Sequence, residues 1–357
     1  MKDKLINSPR YRLHRYLAAG YALFIAYVSL SPFSGWQEQG LFFIDVLTAP
    51  LAQTFTWFDF SLNCIAYIPF GFLLAYMLRS RRPAVHALLL ATLTGLALSV
   101  MMEYAQMYLP SRVSSNGDLL SNSIGTFCGA AFALKIAEYP WFSRIEIWHE
   151  KWFKRGTIVD FGLALVALWM FAQINPSLPM LGSVFVREVA RWPFDIVPAA
   201  PFNLLECAEV ALNLLLLGIL LSTLLRERRQ TMSALLLVLC AVTLTKFIAA
   251  AVLLKSWALL LWLNSEAVFG IIAGLLLLTA AMRLSRTRLL GFGALAAISY
   301  LVLVLGLIVD STPSAAMRLY YWHYLHMLNY NGLSQLVLVL FPTLLLGYLW
   351  RTGMQRT

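Results

Sequence analysis

Residues 231–254 read TMSALLLVLCAVTLTKFIAAAVLL, a run in which Lys246 is the only charged residue. At a rise of about 1.5 Å per residue, a helix of this length exceeds the hydrocarbon core of a bilayer, about 30 Å. Nine further apolar stretches of similar kind lie at about 12–32, 61–78, 84–107, 118–136, 157–174, 203–225, 257–282, 289–309 and 333–350. Across its 357 residues the chain is 60% hydrophobic and 12% charged, with a mean hydropathy of +0.74. That balance excludes an ordinary soluble domain. The expected fold is all-α: a polytopic integral membrane protein of about ten transmembrane helices.

The net charge of +10 would suggest a nucleic-acid partner in a soluble protein, but here the positive-inside rule accounts for it and no nucleic acid is expected. The N-terminus, the loops after every second span and the C-terminus hold 21 of the 27 Lys and Arg residues. The opposite loops hold only Arg112, Arg187, Arg191, Lys255 and Arg318. Both termini are therefore expected in the cytoplasm. The first run follows Lys2, Lys4 and Arg10, includes Arg12 and Arg15, and ends at Ser31-Pro32 without a small-residue cleavage site; it reads as a retained helix. Cys64, Cys128, Cys207 and Cys240 show neither disulfide nor zinc spacing, and a thiol in a span behaves as a small hydrophobe. No cofactor is expected.

A weak repeat runs through the chain. Gly71-x7-Arg79-x-Arg81-Arg82 matches Gly218-x7-Arg226-x-Arg228-Arg229, Gly125-x3-Gly129 matches Gly270-x3-Gly274, and Ser31-Pro32 matches Asn175-Pro176, at offsets of 147, 145 and 144. This pattern predicts a four-helix unit at 1–138, a connector at 139–156, a degenerate parallel copy at 157–283 and a C-terminal helix pair at 284–357. Glycine and arginine also recur at helix ends through topology alone, which leaves the duplication open. In the connector, Trp141, Ile145, Trp148 and Trp152 share one helical face beside Lys151, Lys154 and Arg155, the pattern of an interfacial helix on a membrane rich in anionic lipid. Aromatic residues also crowd the loops at 33–60 and 320–326, either as interfacial belts or as a lid over a site.

Polar side chains within spans are costly, so their placement carries information. Asn63 lies near one end of the second span, Glu103 and Gln106 near the same end of the third, Arg112 in the next loop, and Asp118 and Asn122 at the start of the fourth. Helical spacing puts Glu103 and Gln106 on one face, and makes Asp118, Asn122, Gly125 and Gly129 one stripe. Gly125-x3-Gly129 permits close helix contact. Each residue has a plain structural alternative: Asp118 as a helix cap, Arg112 reaching headgroups, Asn63 bridging helices, and Glu103 with Gln106 as an interfacial pair. Their convergence on one side favours an outer-facing polar pocket.

The ordered run Asp59-x3-Asn63-x5-Pro69-x-Gly71, then Glu103-x2-Gln106-x5-Arg112-x5-Asp118-x3-Asn122-x2-Gly125-x3-Gly129, resembles the VanZ-like family of bacterial membrane proteins over roughly residues 10–138. The resemblance implies a multi-pass protein of the bacterial cytoplasmic membrane, from a family named after a component of glycopeptide (teicoplanin) resistance. The second half departs from the pattern, because Asn63, Glu103 and Asn122 are replaced by Val210, Ala250 and Ala267 at the repeat-equivalent positions. The expected site therefore belongs to the first half.

Three functions fit these residues. In the leading one the pocket binds an envelope component, a lipid-linked or peptidoglycan-related sugar-phosphate or peptide group. Arg112 pairs its anion, Asn63, Glu103, Gln106, Asp118 and Asn122 fix its polar groups, and glycopeptide susceptibility is modified. Alternatively, Glu103 and Asp118 form the acid and base of a membrane enzyme, although no nucleophile motif or nucleotide loop accompanies them. A lipid or small-molecule transporter is the third reading. His323 and His326 have ligand spacing but no third metal ligand. Lys246 and Glu266, at matching depths in their spans, are expected to form a structural ion pair.

Orientation gives the first prediction. In a cysteine-free background, Gly40→Cys, Ala190→Cys and Leu325→Cys should react with an impermeant thiol reagent in intact cells. Arg81→Cys, Glu150→Cys and Arg228→Cys should stay protected until the membrane is opened, and reversal at several positions would invert the topology.

Overall fold

The computed structural model describes residues 11–50, 56–186, 201–309, 311, 313–321 and 325–355. Arg187, Arg191 and His323, singled out above, lie outside them, as does the side chain of His326. The described residues form twelve α-helices and no strand: α1 Tyr11–Leu30, α2 Phe43–Thr48, α3 Trp57–Arg79, α4 Ala84–Gln106, α5 Asn116–Ile136, α6 Pro140–Trp152, α7 Thr157–Gln173, α8 Leu204–Leu224, α9 Thr231–Leu253, α10 Ser265–Ala281, α11 Arg286–Ile308 and α12 Leu325–Met354. Seven of them, α3, α4, α5, α8, α9, α11 and α12, are long and apolar enough to cross a membrane, while α7 and α10 are apolar but shorter. Large hydrophobic side chains such as Val85, Leu89 and Leu93 on α4 are exposed, as helices solvated by lipid require. The chain is a multi-pass helical membrane protein.

Two compact units divide it. The first comprises residues 1–151 and 155–160, the second residues 152–154 and 161–357. The last two helices, expected as a separate pair, lie in the second unit, where α11 packs on α8 and α12.

In the first unit α3 is the hub. It starts at Thr56, whose side chain accepts a hydrogen bond from Asp59 N, and packs against α1, α4 and α5. A core of Ile25, Tyr67, Phe70, Leu74, Ala91, Ala130 and Ala133 joins the four helices. The α3–α5 seam is backbone on backbone: a Cβ at Gly125 would overlap the carbonyl of Cys64, one at Gly129 that of Ile68, and one at Gly71 that of Thr126. Here glycine is required by close approach.

In the second unit α8 is buried around nearly its whole circumference, from Glu209 to Leu224, as a helix apolar on every side must be. Its partners include α9, α10 and α11, and Gly270 and Gly274 of α10 meet α8 at Cys207, Val210 and Ala211. One end of this unit is closed by irregular backbone. Residues 174–186 follow the short helix α7 and are buried almost throughout. Non-helical backbone at membrane depth is tolerated only where its polar groups find partners inside the protein, and here they do. Met180 N donates to Trp262 O (2.8 Å), Val186 N to Ser177 O (2.8 Å), Leu181 N to Gln173 Oε1 (3.0 Å) and Phe185 N to Ser311 Oγ (2.8 Å). Asn213 Nδ2 donates to Leu181 O (2.7 Å) while its Oδ1 accepts from Trp169 Nε1 (2.7 Å).

Lys246 belongs to this network, and here the structure corrects the sequence. Fully buried on α9, it donates to the carbonyls of Gln173 (3.0 Å) and Pro179 (3.3 Å), placing its charge at the C-terminal end of α7, where a helix dipole favours a cation. It forms no ion pair with Glu266. The reason is that α10 begins only at Ser265, after a 3-10 turn at Ser256–Ala258, so Glu266 lies in a first helical turn rather than deep in a span. Glu266 accepts from Ser265 Oγ (2.8 Å) and Asn203 N (3.1 Å).

Two stability predictions follow from these contacts. Gly129→Ala should lower the melting temperature of the detergent-solubilised protein by an amount corresponding to about 1–3 kcal/mol of overpacking, while Gly20→Ala, where nothing lies within 4 Å, should leave it unchanged. In a double-mutant cycle, the losses from Lys246→Met and Glu266→Gln should add to within about 0.5 kcal/mol; recovery in the double mutant would restore the ion pair.

Candidate functional site

The cluster foreseen from the sequence forms where α3 and α5 begin and α4 ends. Glu103, in the last turn of α4, is 2% exposed. Its Oε2 accepts from Ser115 N (2.8 Å) and Ser114 Oγ (3.1 Å), so the carboxylate is fixed by the very turn that starts α5. Ser115 caps that helix through Gly117 N (3.1 Å), and Asp118 sits in the first turn, where an acid is favoured. Asn63 on α3 lies beside the Asp118 carboxylate, and Asp59 and Glu103 lie within electrostatic reach of it. One turn along, Asn122 Nδ2 donates to Ser99 Oγ (2.9 Å).

The six foreseen residues separate into two groups. Asn63, Glu103, Asp118 and Asn122 come together between α3, α4 and α5. Gln106 and Arg112 turn instead to the end of α1: Gln106 Nε2 donates to Ser29 O (3.0 Å), Arg112 Nε to Ser31 O (3.1 Å), and Arg112 Nη2 to Val28 O and Ser31 O (both 2.8 Å). A guanidinium has five donors in a rigid fork, and this one closes the open carbonyls of a helix C-terminus. Burial lowers the Arg112 pKa, but a guanidinium remains charged across the accessible pH range. Among the described residues it pairs with no carboxylate.

Two orphaned atoms mark the centre of the first group. Tyr67, on α3 and 4% exposed, has a buried hydroxyl without a hydrogen-bond partner, and Asn122 Oδ1 is buried and unpartnered as well. Tyr67 lies within electrostatic reach of both Glu103 and Asp118. Ser99 is close to its hydroxyl but not in hydrogen-bonding geometry. An unmatched buried hydroxyl costs about 1–3 kcal/mol, and native proteins hold few such groups. Sequence reading missed Tyr67 because tyrosine in an apolar span looks like packing; its place four residues after Asn63, on the same helical face, was the available signal.

A second omission lies in the other unit. Glu209 on α8 is 1% exposed and neither carboxylate oxygen has a hydrogen-bond partner; Tyr300 OH and Ser183 Oγ are also buried and unpartnered. Ser183 lies beside Glu209, and both line a narrow cavity with Glu206 and Glu266. Glu209 falls next to Val210, the counterpart of Asn63, so comparing equivalent positions passed over it. No cluster of three or more metal-ligating side chains occurs among the described residues.

Fold and cluster together define a multi-pass helical membrane protein whose first unit buries a polar, acid-containing site at one end of its helices. Residues 13–138 match the model of the VanZ/LLP1 family, which covers that unit and bears out the resemblance carried by the Glu103 to Gly129 motif. No curated protein and no solved structure matches the chain.

The division of the cluster generates a further expectation. Arg112→Ala should lower melting temperature and membrane accumulation, because it frees three carbonyl contacts at the end of α1, whereas Glu103→Gln and Tyr67→Phe should leave both nearly unchanged. Equal losses from all three, measured by thermal unfolding and immunoblot, would make the cluster a single structural unit.

Proposed function

We propose that the first unit binds a polar group of a bacterial cell-envelope component, the glycan or peptide part of a lipid-linked wall precursor, and thereby influences susceptibility to glycopeptides of the teicoplanin type. The observation that carries this reading is the pair of orphaned polar atoms, Tyr67 OH and Asn122 Oδ1, beside the carboxylates of Glu103 and Asp118. The group is rich in acceptors, which suits sugar hydroxyls and peptide N–H donors. Arg112 is engaged by carbonyls, so the proposed recognition rests on the acceptors of the cluster rather than on pairing with an anion. The positive-inside asymmetry supports an orientation with both termini in the cytoplasm of a bacterial inner membrane and the cluster near the outer surface. On the same reading the second unit is a degenerate copy. Its support is that the capping pairs Thr56/Asp59 and Asn203/Glu206 stand at the offset of 147 found for the Gly71-x7-Arg79 motif.

A second reading is favoured by the closeness of Glu103 and Asp118: two neighbouring carboxyl groups in different surroundings can serve as acid and base, which would make the protein an enzyme acting on an envelope lipid intermediate. A transporter reading draws on Glu209, since buried acids mark ion pathways in transporters.

Allele replacement tests the proposal. Tyr67→Phe, Glu103→Gln and Asp118→Asn should each reduce the wild-type effect on teicoplanin tolerance at equal protein level. Retention of the full effect by all three would overturn it, and turnover of a purified lipid intermediate, lost in Glu103→Gln, would favour the enzyme.

A further inference from the structure

The second unit contains a basic cavity at the end opposite its irregular segments, where α8 ends, α11 begins and α12 ends. Its volume is ≈ 80 Å³, and its lining includes Lys154, Arg228, Arg286, Thr223, Thr352 and Leu289. A single water needs roughly 10–15 Å³ by this measure, so the space accommodates a group of several heavy atoms. Three cations and no carboxylate line it.

The cations are held in place by backbone rather than by acids. Lys154 Nζ donates to Thr223 O (2.7 Å), Arg228 Nη1 to Leu284 O (3.0 Å) and Arg286 Nη2 to Thr352 O (3.4 Å). Each keeps further N–H donors, and none makes a salt bridge among the described residues. The neighbouring acid, Glu227, is engaged by the exposed Arg229 outside the cavity. Burial, reinforced by Arg286 and Arg228, lowers the Lys154 pKa, as expected where positive charges converge without compensation. Helix α11 adds to the field: its first turn, from Arg286, lines the cavity, and Ser285 provides no side-chain cap. Uncapped N–H groups at a helix N-terminus favour an anion.

We propose that this cavity is a binding site for a phosphate-bearing anion, clasped by Lys154, Arg228 and Arg286. The orientation read from the charge distribution puts it at the cytoplasmic face, where anionic phospholipid headgroups and free phosphate both offer that chemistry. Leu289 and Leu290 at the rim suit a headgroup attached to acyl chains.

The test is thermal unfolding of the full chain in a neutral detergent, titrated separately with phosphatidylglycerol, phosphatidylcholine and inorganic phosphate at constant ionic strength. Phosphatidylglycerol should raise the melting temperature by at least about 3 °C, and phosphatidylcholine should not. Arg286→Gln and the Lys154→Gln/Arg228→Gln double variant should lose most of that rise, Arg286→Lys should keep much of it, and Arg229→Gln should behave as wild type. Stabilisation by millimolar phosphate as well would identify the free anion as a ligand; its absence would assign the site to the lipid headgroup. If either variant fails to fold, the other decides. An undiminished rise in the variants, or an equal one with phosphatidylcholine, would overturn the proposal.

Discussion

Helices separated by ordinary side chains lie 8–10 Å apart, but α3 and α5 touch through their backbones, because Gly71, Gly125 and Gly129 present no Cβ to the carbonyls of Thr126, Cys64 and Ile68. In a bilayer, where apolar side chains gain nothing by leaving lipid, such close packing is a principal source of helix association. The seam fixes the rotation of α5 about its axis and sets the stripe of Asp118 and Asn122 toward α3 and α4. Asn63 then meets Asp118, and Ser115 meets Glu103. The polar end of the unit is a consequence of its glycine-lined middle.

A different device closes the second unit. Its short helices α7 and α10 leave irregular backbone at one end, and a buried lysine, three asparagines and several hydroxyls supply the partners that lipid cannot. Asn175 illustrates the economy of this arrangement: Nδ2 donates to Asn331 Oδ1 and Ser334 Oγ (both 3.0 Å), while Oδ1 accepts from Ser177 N (3.0 Å) and Ser177 Oγ (2.7 Å). Lys246 belongs to the same class of solution, and its distance from Glu266 follows from where α10 can begin.

Much of this was legible in the sequence. All ten apolar stretches contain a helix, and seven of those helices are long and apolar enough to cross a membrane, because a span must satisfy its own backbone and hydropathy therefore reports it directly. The family resemblance was legible because its residues fall at helical spacings within one unit. Less accessible was which acceptor each polar group would choose. Arg112 appeared to be a partner for an anion, and only the folded chain brings the end of α1 beneath it. Tyr67 and Glu209 escaped notice because both lie in apolar runs where a single polar atom barely changes the pattern. The start of α10 was misplaced for a related reason: residues 255–264 are apolar enough to continue a span, but their backbone turns to pair with irregular segments, Trp262 O accepting from Met180 N and Lys255 N donating to Leu319 O.

The central claim is that the atoms left unmatched around Tyr67 and Asn122 are matched by an envelope ligand. Native mass spectrometry of the protein ejected directly from its own membranes examines this most directly. The account predicts a wild-type adduct with the mass of a lipid-linked glycan or peptide intermediate, depleted in both Tyr67→Phe and Asp118→Asn. A wild-type protein carrying only bulk phospholipid, or an adduct retained equally by both variants, would contradict it.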